Sequence, residues 1–213
     1  NGEYYSYSGE GLFYDCPLEE VYLGRDLKYL EKRNFAYSPF YYNTKLKSLI
    51  IGKKVTNIGK YAFKYCISLT SVTIPSSVSI IDDNAFESCG SLKELYIEDG
   101  DSELMLGYNF GGQSGTYLNT SYALFNSCPL ETIYLGRNIN YSSSAKDYPA
   151  FRNKDKLASL TISNNVTSIG NSAFSGCSVL TSLTIPGSVT SIGNNAFYGC
   201  SSLNKVSFED GDL

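Results

Sequence analysis

The sequence predicts a stacked solenoid, mostly β, rather than a globular domain closed around one central core. Three observations lead there. A frame of 23 residues recurs four times without a gap, a longer period of 111–112 residues lies over it, and no single copy holds enough apolar residues to close a core alone. The four copies are KLKSLIIGKKVTNIGKYAFKYCI from Lys45, SLTSVTIPSSVSIIDDNAFESCG from Ser68, KLASLTISNNVTSIGNSAFSGCS from Lys156 and VLTSLTIPGSVTSIGNNAFYGCS from Val179. They share the frame x-L-x-S-L/V-x-I-x-x-x-V-T/S-x-I-G/D-x-x-A-F-x-x-C-x.

Degenerate copies fill the rest of the chain. The opening of the frame recurs at Leu18-Val21-Leu23, Leu92-Leu95-Ile97, Leu130-Ile133-Leu135 and Leu203-Val206-Phe208. Its close recurs at Phe13/Cys16 and Phe125/Cys128, and Phe40 and Phe151 mark two further rungs without the cysteine. This makes about eight rungs in a single solenoid over residues 1–213. The expected core anchors are Phe13, Phe40, Phe63, Phe86, Phe125, Phe151, Phe174 and Phe197, with Cys16, Cys66, Cys89, Cys128, Cys177 and Cys200. LFYDCPLEEVYLGR from Leu12 returns as LFNSCPLETIYLGR from Leu124, and SLKELYIEDGD from Ser91 returns as SLNKVSFEDGD from Ser202. The chain thus divides into two blocks, 1–101 with a loop and 102–213, and reads as a piece of a longer tandem array.

Each part of the rung has a local reason. L-x-S-L-x-I alternates as a strand with one buried face. Pro75 and Pro186 end that strand, because proline has no N–H for the next ladder bond. V-T-x-I is a second short extended piece. Gly59, Gly170 and Gly193 follow it, where positive φ is expected to turn the chain, and Asp82 stands there once. N-x-A-F is too short for an α-helix and is expected to form one 3₁₀-like turn. Strands stacked about 4.8 Å apart then bury Leu, Val, Ile, Phe and Cys between rungs.

L-x-x-L-x-I followed by V-T-x-I-G-x-x-A-F-x-x-C resembles the BspA-like leucine-rich repeats, best seen over Leu180–Cys200. The four regular rungs match closely and the degenerate ones in part. The resemblance implies a right-handed leucine-rich-repeat solenoid of the horseshoe-type α/β superfamily, with a parallel sheet on one face and short β or 3₁₀ turns on the other. It also implies surface-exposed or secreted proteins of anaerobic gut and oral bacteria, some acting in adhesion to host matrix proteins or to other cells.

Composition narrows the function. There is no histidine, which removes Ser–His–Asp triads, Cys–His dyads and His-ligated zinc or haem. Seventeen basic against 21 acidic residues leave no basic face for nucleic acid. No apolar run approaches the ~18 residues that span a bilayer, so membrane insertion within this segment is not expected. Charged residues are 18% while tyrosine reaches 19 residues, which points to an extracellular or cell-surface β protein covered by Ser, Thr, Asn and Tyr.

Six cysteines in such a protein invite a disulfide reading. The register argues for buried free thiols. Every cysteine sits at the same rung position, so stacked Cβ atoms lie about 4.8 Å apart, beyond the ~3.8 Å mean of a disulfide. Asn43 and Lys154 (or Asn153, with a one-residue shift) interrupt the cysteine ladder.

Alternation turns Glu20/Tyr22, Ser48/Ile50, Ser71/Thr73, Glu94/Tyr96, Thr132/Tyr134, Ser159/Thr161, Ser182/Thr184 and Lys205/Ser207 outward. The regular rungs carry small hydroxyls there. Tyr22, Tyr96 and Tyr134, with Glu20 and Glu94, are the candidate contacts on this face, since a rigid aromatic with a polar tip suits protein or sugar. Three irregular loops, 24–43, 98–123 and 136–154, add Tyr108, Tyr117 and Tyr141 in Ser-, Gly- and Asn-rich surroundings that resemble paratope chemistry. Arg25 and Arg137 both follow Y-L-G and are expected to anchor loops or form salt bridges. E-D-G-D at 98–101 and 209–212 is expected to be a hairpin turn, with calcium as the alternative. No residue set for catalysis, a metal or a cofactor is found. The expected function is therefore non-enzymatic binding of a host extracellular protein or glycan. The alternative is a spacer that presents another domain. Open solenoid ends are expected to favour self-association.

Overall fold

The structure is a computed structural model that describes residues 12–27, 31–32, 35–36, 38–108, 124–141 and 149–211, with backbone only at 31–32, 35–36 and 108. In chain order the strands are β1 (Glu20–Leu23), β2 (Glu31–Lys32), β3 (Phe35–Ala36), β4 (Ser48–Ile51), β5 (Asn57–Ile58), β6 (Ser71–Ile74), β7 (Ile80–Asp82) and β8 (Glu94–Ile97). Then follow β9 (Leu104–Tyr108), β10 (Thr132–Leu135), β11 (Ile139–Tyr141), β12 (Ser159–Ile162), β13 (Ser168–Ile169), β14 (Ser182–Ile185), β15 (Ser191–Ile192) and β16 (Lys205–Phe208). Among the described residues there is no helix. Apart from the small antiparallel pair β2–β3, every pairing is parallel.

Each rung has three sides, and each side forms ladders of hydrogen bonds between successive rungs, broken on the first side between β4 and β6 and between β12 and β14. The L-x-x-L-x-I strands form the first side, paired as β1–β4, β6–β8–β10–β12 and β14–β16. Register along it is strict: Leu95 faces Val72 and Ile133, and Ile97 faces Ile74 and Leu135. The second pieces form the second side, β5–β7–β9–β11 and β13–β15. Turns around the phenylalanine form the third. There alternate N–H groups reach the neighbouring rung, as in Tyr61 N to Asp83 O (3.2 Å), Phe63 N to Ala85 O (2.7 Å) and Tyr65 N to Glu87 O (3.0 Å).

The third side corrects two expectations. Its i→i+3 bonds are present, as from Lys64 N to Tyr61 O and Cys66 N to Phe63 O (both 3.1 Å), but they do not continue into a 3₁₀ helix. Left-handed residues interrupt them. In all eight rungs the residue two after the phenylalanine has positive φ: Asp15, Tyr42, Tyr65, Ser88, Ser127, Asn153, Gly176 and Gly199. Tyr61, Asn84, Ser172 and Asn195, two before it, do so as well. Gly59, Gly170 and Gly193, where the sequence placed the left-handed turn, do not have positive φ. The chain reverses around the phenylalanine, because the ring must point inward while N–H groups on both sides point to the next rung.

The loops also begin more regularly than expected. β9 and β11 lie inside the segments read as irregular, and each is the second strand of its rung, with Leu104 and Leu106 buried. E-D-G-D at 98–101 is consequently no hairpin turn. It links β8 to β9, which lie in different parallel sheets.

The core is one continuous column. All eight phenylalanines stack in sequence, with ring centroids 5.3–5.8 Å apart and planes within 18°. Phe63, Phe86, Phe125, Phe151 and Phe174 are fully buried. Phe13 is 36% exposed, Phe197 is half-buried and Cys16 only partly buried, so these three core assignments hold less well. They lie at the two ends of the described column.

Beside the phenylalanines runs a ladder of thiols. The six cysteines are unpaired. Cys66 Sγ donates to Phe40 O (3.5 Å), Cys89 to Phe63 O (3.2 Å), Cys128 to Phe86 O (3.0 Å), Cys177 to Phe151 O (3.5 Å) and Cys200 to Phe174 O (3.3 Å). Asn43 and Lys154 do not interrupt this ladder. Asn43 Nδ2 donates to Phe13 O (2.7 Å), and Lys154 Nζ donates to Phe125 O. The position requires a buried donor to the preceding rung's carbonyl, and thiol, amide and ammonium all supply one.

Candidate functional site

The first side of the solenoid presents two outward rows. Alternation in β6, β8, β12 and β14 buries the second and fourth residues and leaves the first and third in solvent, and β1, β4 and β10 follow it with Val21, Ser48 and Tyr134 half-buried. Across the rungs the third residues run Tyr22, Ile50, Thr73, Tyr96, Tyr134, Thr161, Thr184 and Ser207. Four of the first five rungs thus carry an aromatic or aliphatic side chain where Thr73 and the last three rungs carry a small hydroxyl. Tyr22 is 71% exposed, its register partner Ile50 57%, and Tyr96 43%.

The tyrosines are held in two ways. Tyr96 and Tyr134, register partners on β8 and β10, stack at 4.3 Å with planes 9° apart. One face of each ring covers the other. The Tyr134 hydroxyl donates to Asp99 (3.0 Å), and the Ser163 hydroxyl donates to the same carboxylate. Ser163 pulls the Tyr134 phenol down, but burial and the Asp99 charge outweigh it and raise the phenol above its ordinary range. Tyr22 lies differently. A Cβ added at Gly24 meets its ring at 3.0 Å, and one added at Gly52 meets its hydroxyl at 2.9 Å, so the ring reclines over two residues without side chains.

Carboxylates border this row. Glu20, Glu94 and Asp99 are exposed. Glu98 Oε2 accepts from Ser76 N (3.0 Å), so the E-D-G-D segment spends two of its carboxylates on neighbouring rungs. Among the described residues no group of three His, Cys, Asp or Glu could hold a metal ion. Arg137, fully buried, donates to Pro75 O (2.9 Å) and Ser76 O (3.0 Å) and crosses close to Gly100, so it anchors the rungs together. Arg25, at the equivalent place in the first rung, is exposed. A recess of about 370 Å³ lies further along the face, between β12 and β14.

The loop candidates fare differently. Tyr141 turns inward: it pairs in register with Leu106 and packs against the core, and burial raises its phenol well above the ordinary range. It is a packing residue, because Ile139-Asn140-Tyr141 is a strand whose odd positions face in. Tyr108 is described only as backbone of β9, and Tyr117 lies outside the described residues. A tyrosine group that the sequence did not single out sits on the third side. Tyr14 stacks on Tyr41 and Tyr42, both of which meet Tyr65 edge-on, and Lys64 lies over Tyr61 and Tyr65. Tyr42, Tyr61 and Tyr65 occupy left-handed positions that other rungs fill with Asp, Ser, Asn or Gly.

Parallel strands, a phenylalanine column and an L-x-x-L-x-I face define a leucine-rich-repeat solenoid. A family model described as a BspA type leucine-rich repeat region matches residues 37–145 and 145–212, and the chain belongs to this family of bacterial surface proteins. Such repeats are generally non-catalytic binding modules, and no enzyme family matches. Curated proteins give no match. Among solved structures the chain is similar to a leucine-rich repeat protein from Bacteroides ovatus (21% identity, 92% of this chain and 57% of that one, TM-score 0.39). It is also similar to a leucine rich cell surface protein from Faecalibacterium prausnitzii (22%, 80% and 55%, TM-score 0.34) and to a T. pallidum leucine rich repeat protein (28%, 76% and 56%, TM-score 0.38). The chain spans a little over half the length of these three proteins.

Proposed function

We propose that this chain is a recognition module of a bacterial surface protein, and that it binds an extracellular host protein through the early rungs of the sheet face. The carrying observation is that Tyr22, Ile50 and Tyr96 are exposed, with Tyr134 half-buried beside Tyr96, at a position that is Thr or Ser in the other rungs, Thr73 between Ile50 and Tyr96 included. Holding such area in solvent has no value for the fold, and parallel strands fix it at little entropic cost on binding. A protein is favoured over a glycan for two reasons. Ile50 offers a sugar no hydrogen bond, and the stack closes one face of each of Tyr96 and Tyr134 to a sugar ring. The carboxylates Glu20, Glu94 and Asp99 around the row call for a partner with Lys or Arg around an apolar centre.

The test replaces Tyr22, Ile50 and Tyr96 together by Thr, the residue of the regular rungs. Binding to a panel of extracellular matrix proteins should weaken at least tenfold with the melting temperature unchanged. Unchanged affinity would refute the face assignment, and binding to a glycan array alone would transfer the row to a sugar ligand. A second reading, a spacer, draws on the later rungs, whose outward Ser159, Thr161, Ser182 and Thr184 are plain sheet formers. Failure to bind either panel favours it.

A further inference from the structure

We infer that the corner between the fifth and sixth phenylalanines binds a compact oxyanion, a carboxylate or a sulfate, on Lys154. Lys154 occupies the place of a cysteine in the ladder. It is only 7% exposed, and its ammonium donates to Phe125 O. A carbonyl accepts a hydrogen bond but carries no net charge, and among the described residues no carboxylate forms a salt bridge with this Nζ. Asp155 and the Cys128 and Cys177 thiols draw on it by charge without an ion pair, and a buried cation so weakly compensated is costly.

The recess beside it has the composition to supply one. It measures about 370 Å³ and is lined by Arg152, Lys154 and Lys156, with Asn126, Ser127 and Asn153 adding amide and hydroxyl groups. Asp155, the carboxylate of this lining, lies 3.7 Å from Lys156. The lining thus holds three cations and one carboxylate in a chain of net charge −4, with Lys156 engaged by Asp155 and Arg152 holding an interaction of its own. Desolvation holds the Lys154 pKa below its ordinary value, the direction expected of a cation that gains from a bound anion. The competing counter-charge is internal. Cys128 lines the same recess, and its thiol is held below the usual range, first by Cys89 and then by the charge of Lys154.

The variant that separates these cases is Lys154→Cys, which restores the ladder residue found in the regular rungs and so keeps the fold. Inorganic sulfate and glucuronate are titrated against the wild type, Lys154→Cys and Arg152→Ala, with sodium chloride at matched ionic strength as the control. Saturable thermal stabilisation of the wild type by one or both anions is expected, with apparent affinity reduced at least tenfold in each variant. Response to sulfate alone assigns the recess to sulfated groups, and response to glucuronate assigns it to uronates. Stabilisation no greater than that of chloride, with Cys128 alkylated by iodoacetamide at neutral pH, overturns the inference in favour of a thiolate partner. Equal stabilisation of Lys154→Cys overturns it by placing the anion elsewhere.

Discussion

At the scale of single residues, the fold depends on neutral donors buried next to carbonyls. Burial pushes the Cys66 and Cys177 thiols up to about 12. An unfolded cysteine titrates near 8.5. A folded-state pKa raised in this way contributes stability that is whole below about pH 8.5 and is lost as pH climbs toward 12, roughly 1.4 kcal/mol per unit for each thiol. Urea unfolding at pH 8 and pH 10 should therefore show a loss of a few kcal/mol, and a flat profile would contradict the buried ladder. Backbone sign matters at the same scale. Gly176 has φ +78° and its added Cβ would meet Asn153 Oδ1 at 2.3 Å, whereas an added Cβ at Gly90 meets nothing within 4 Å. Gly176→Ala should cost at least about 1 kcal/mol and Gly90→Ala should be neutral or stabilise by up to about 1 kcal/mol, read as melting temperatures.

At the scale of the element, the rung is the unit and the phenylalanine its pivot. Phe86 is flanked on both sides by rings, at 5.4 and 5.6 Å, while among the described residues Phe13 has one ring partner, Phe40. Phe86→Ala should cost about 3–5 kcal/mol, and Phe13→Ala less than about 1.5 kcal/mol, in the same denaturant assay. Equal costs would mean that the column is not the source of cohesion. The L-x-x-L-x-I strand and the F-x-x-C close were legible in the sequence because period-2 alternation and a recurring aromatic report burial directly. The left-handed pairs around the phenylalanine were not. Ser, Asn, Asp, Gly and Tyr all fill those positions, so composition hides a backbone requirement that only neighbouring N–H groups impose.

At the scale of the molecule, a stack has a middle and two ends. Ile58, Ile74, Ile81 and Leu104 are sealed, whereas Ile192, Val206 and Phe208 at equivalent or adjoining frame positions are exposed. Stability in such a stack is a sum of rungs and interfaces. Amide hydrogen exchange should show strongest protection across β6–β10 and progressively weaker protection toward β14–β16. Uniform protection would indicate a single cooperative core. The proposed partner face has the same polarity, since its apolar row lies in the first five rungs and hydroxyls take over after Tyr134.

The repeat by itself determined the solenoid, the outward and inward residues of the main strands, and the pairing of each phenylalanine with its successor. These follow from periodicity, because identical rungs must stack in register to bury what none can bury alone. Tertiary structure decided the rest. It turned Tyr141 inward, placed Tyr134 against Tyr96 and Asp99, and drove Arg137 to two carbonyls 61 and 62 residues away in sequence. It also showed that Asn43 and Lys154 replace cysteine as donors to the preceding carbonyl. In sequence these look like breaks in a pattern, and the equivalence appears only when the neighbouring rung supplies the acceptor.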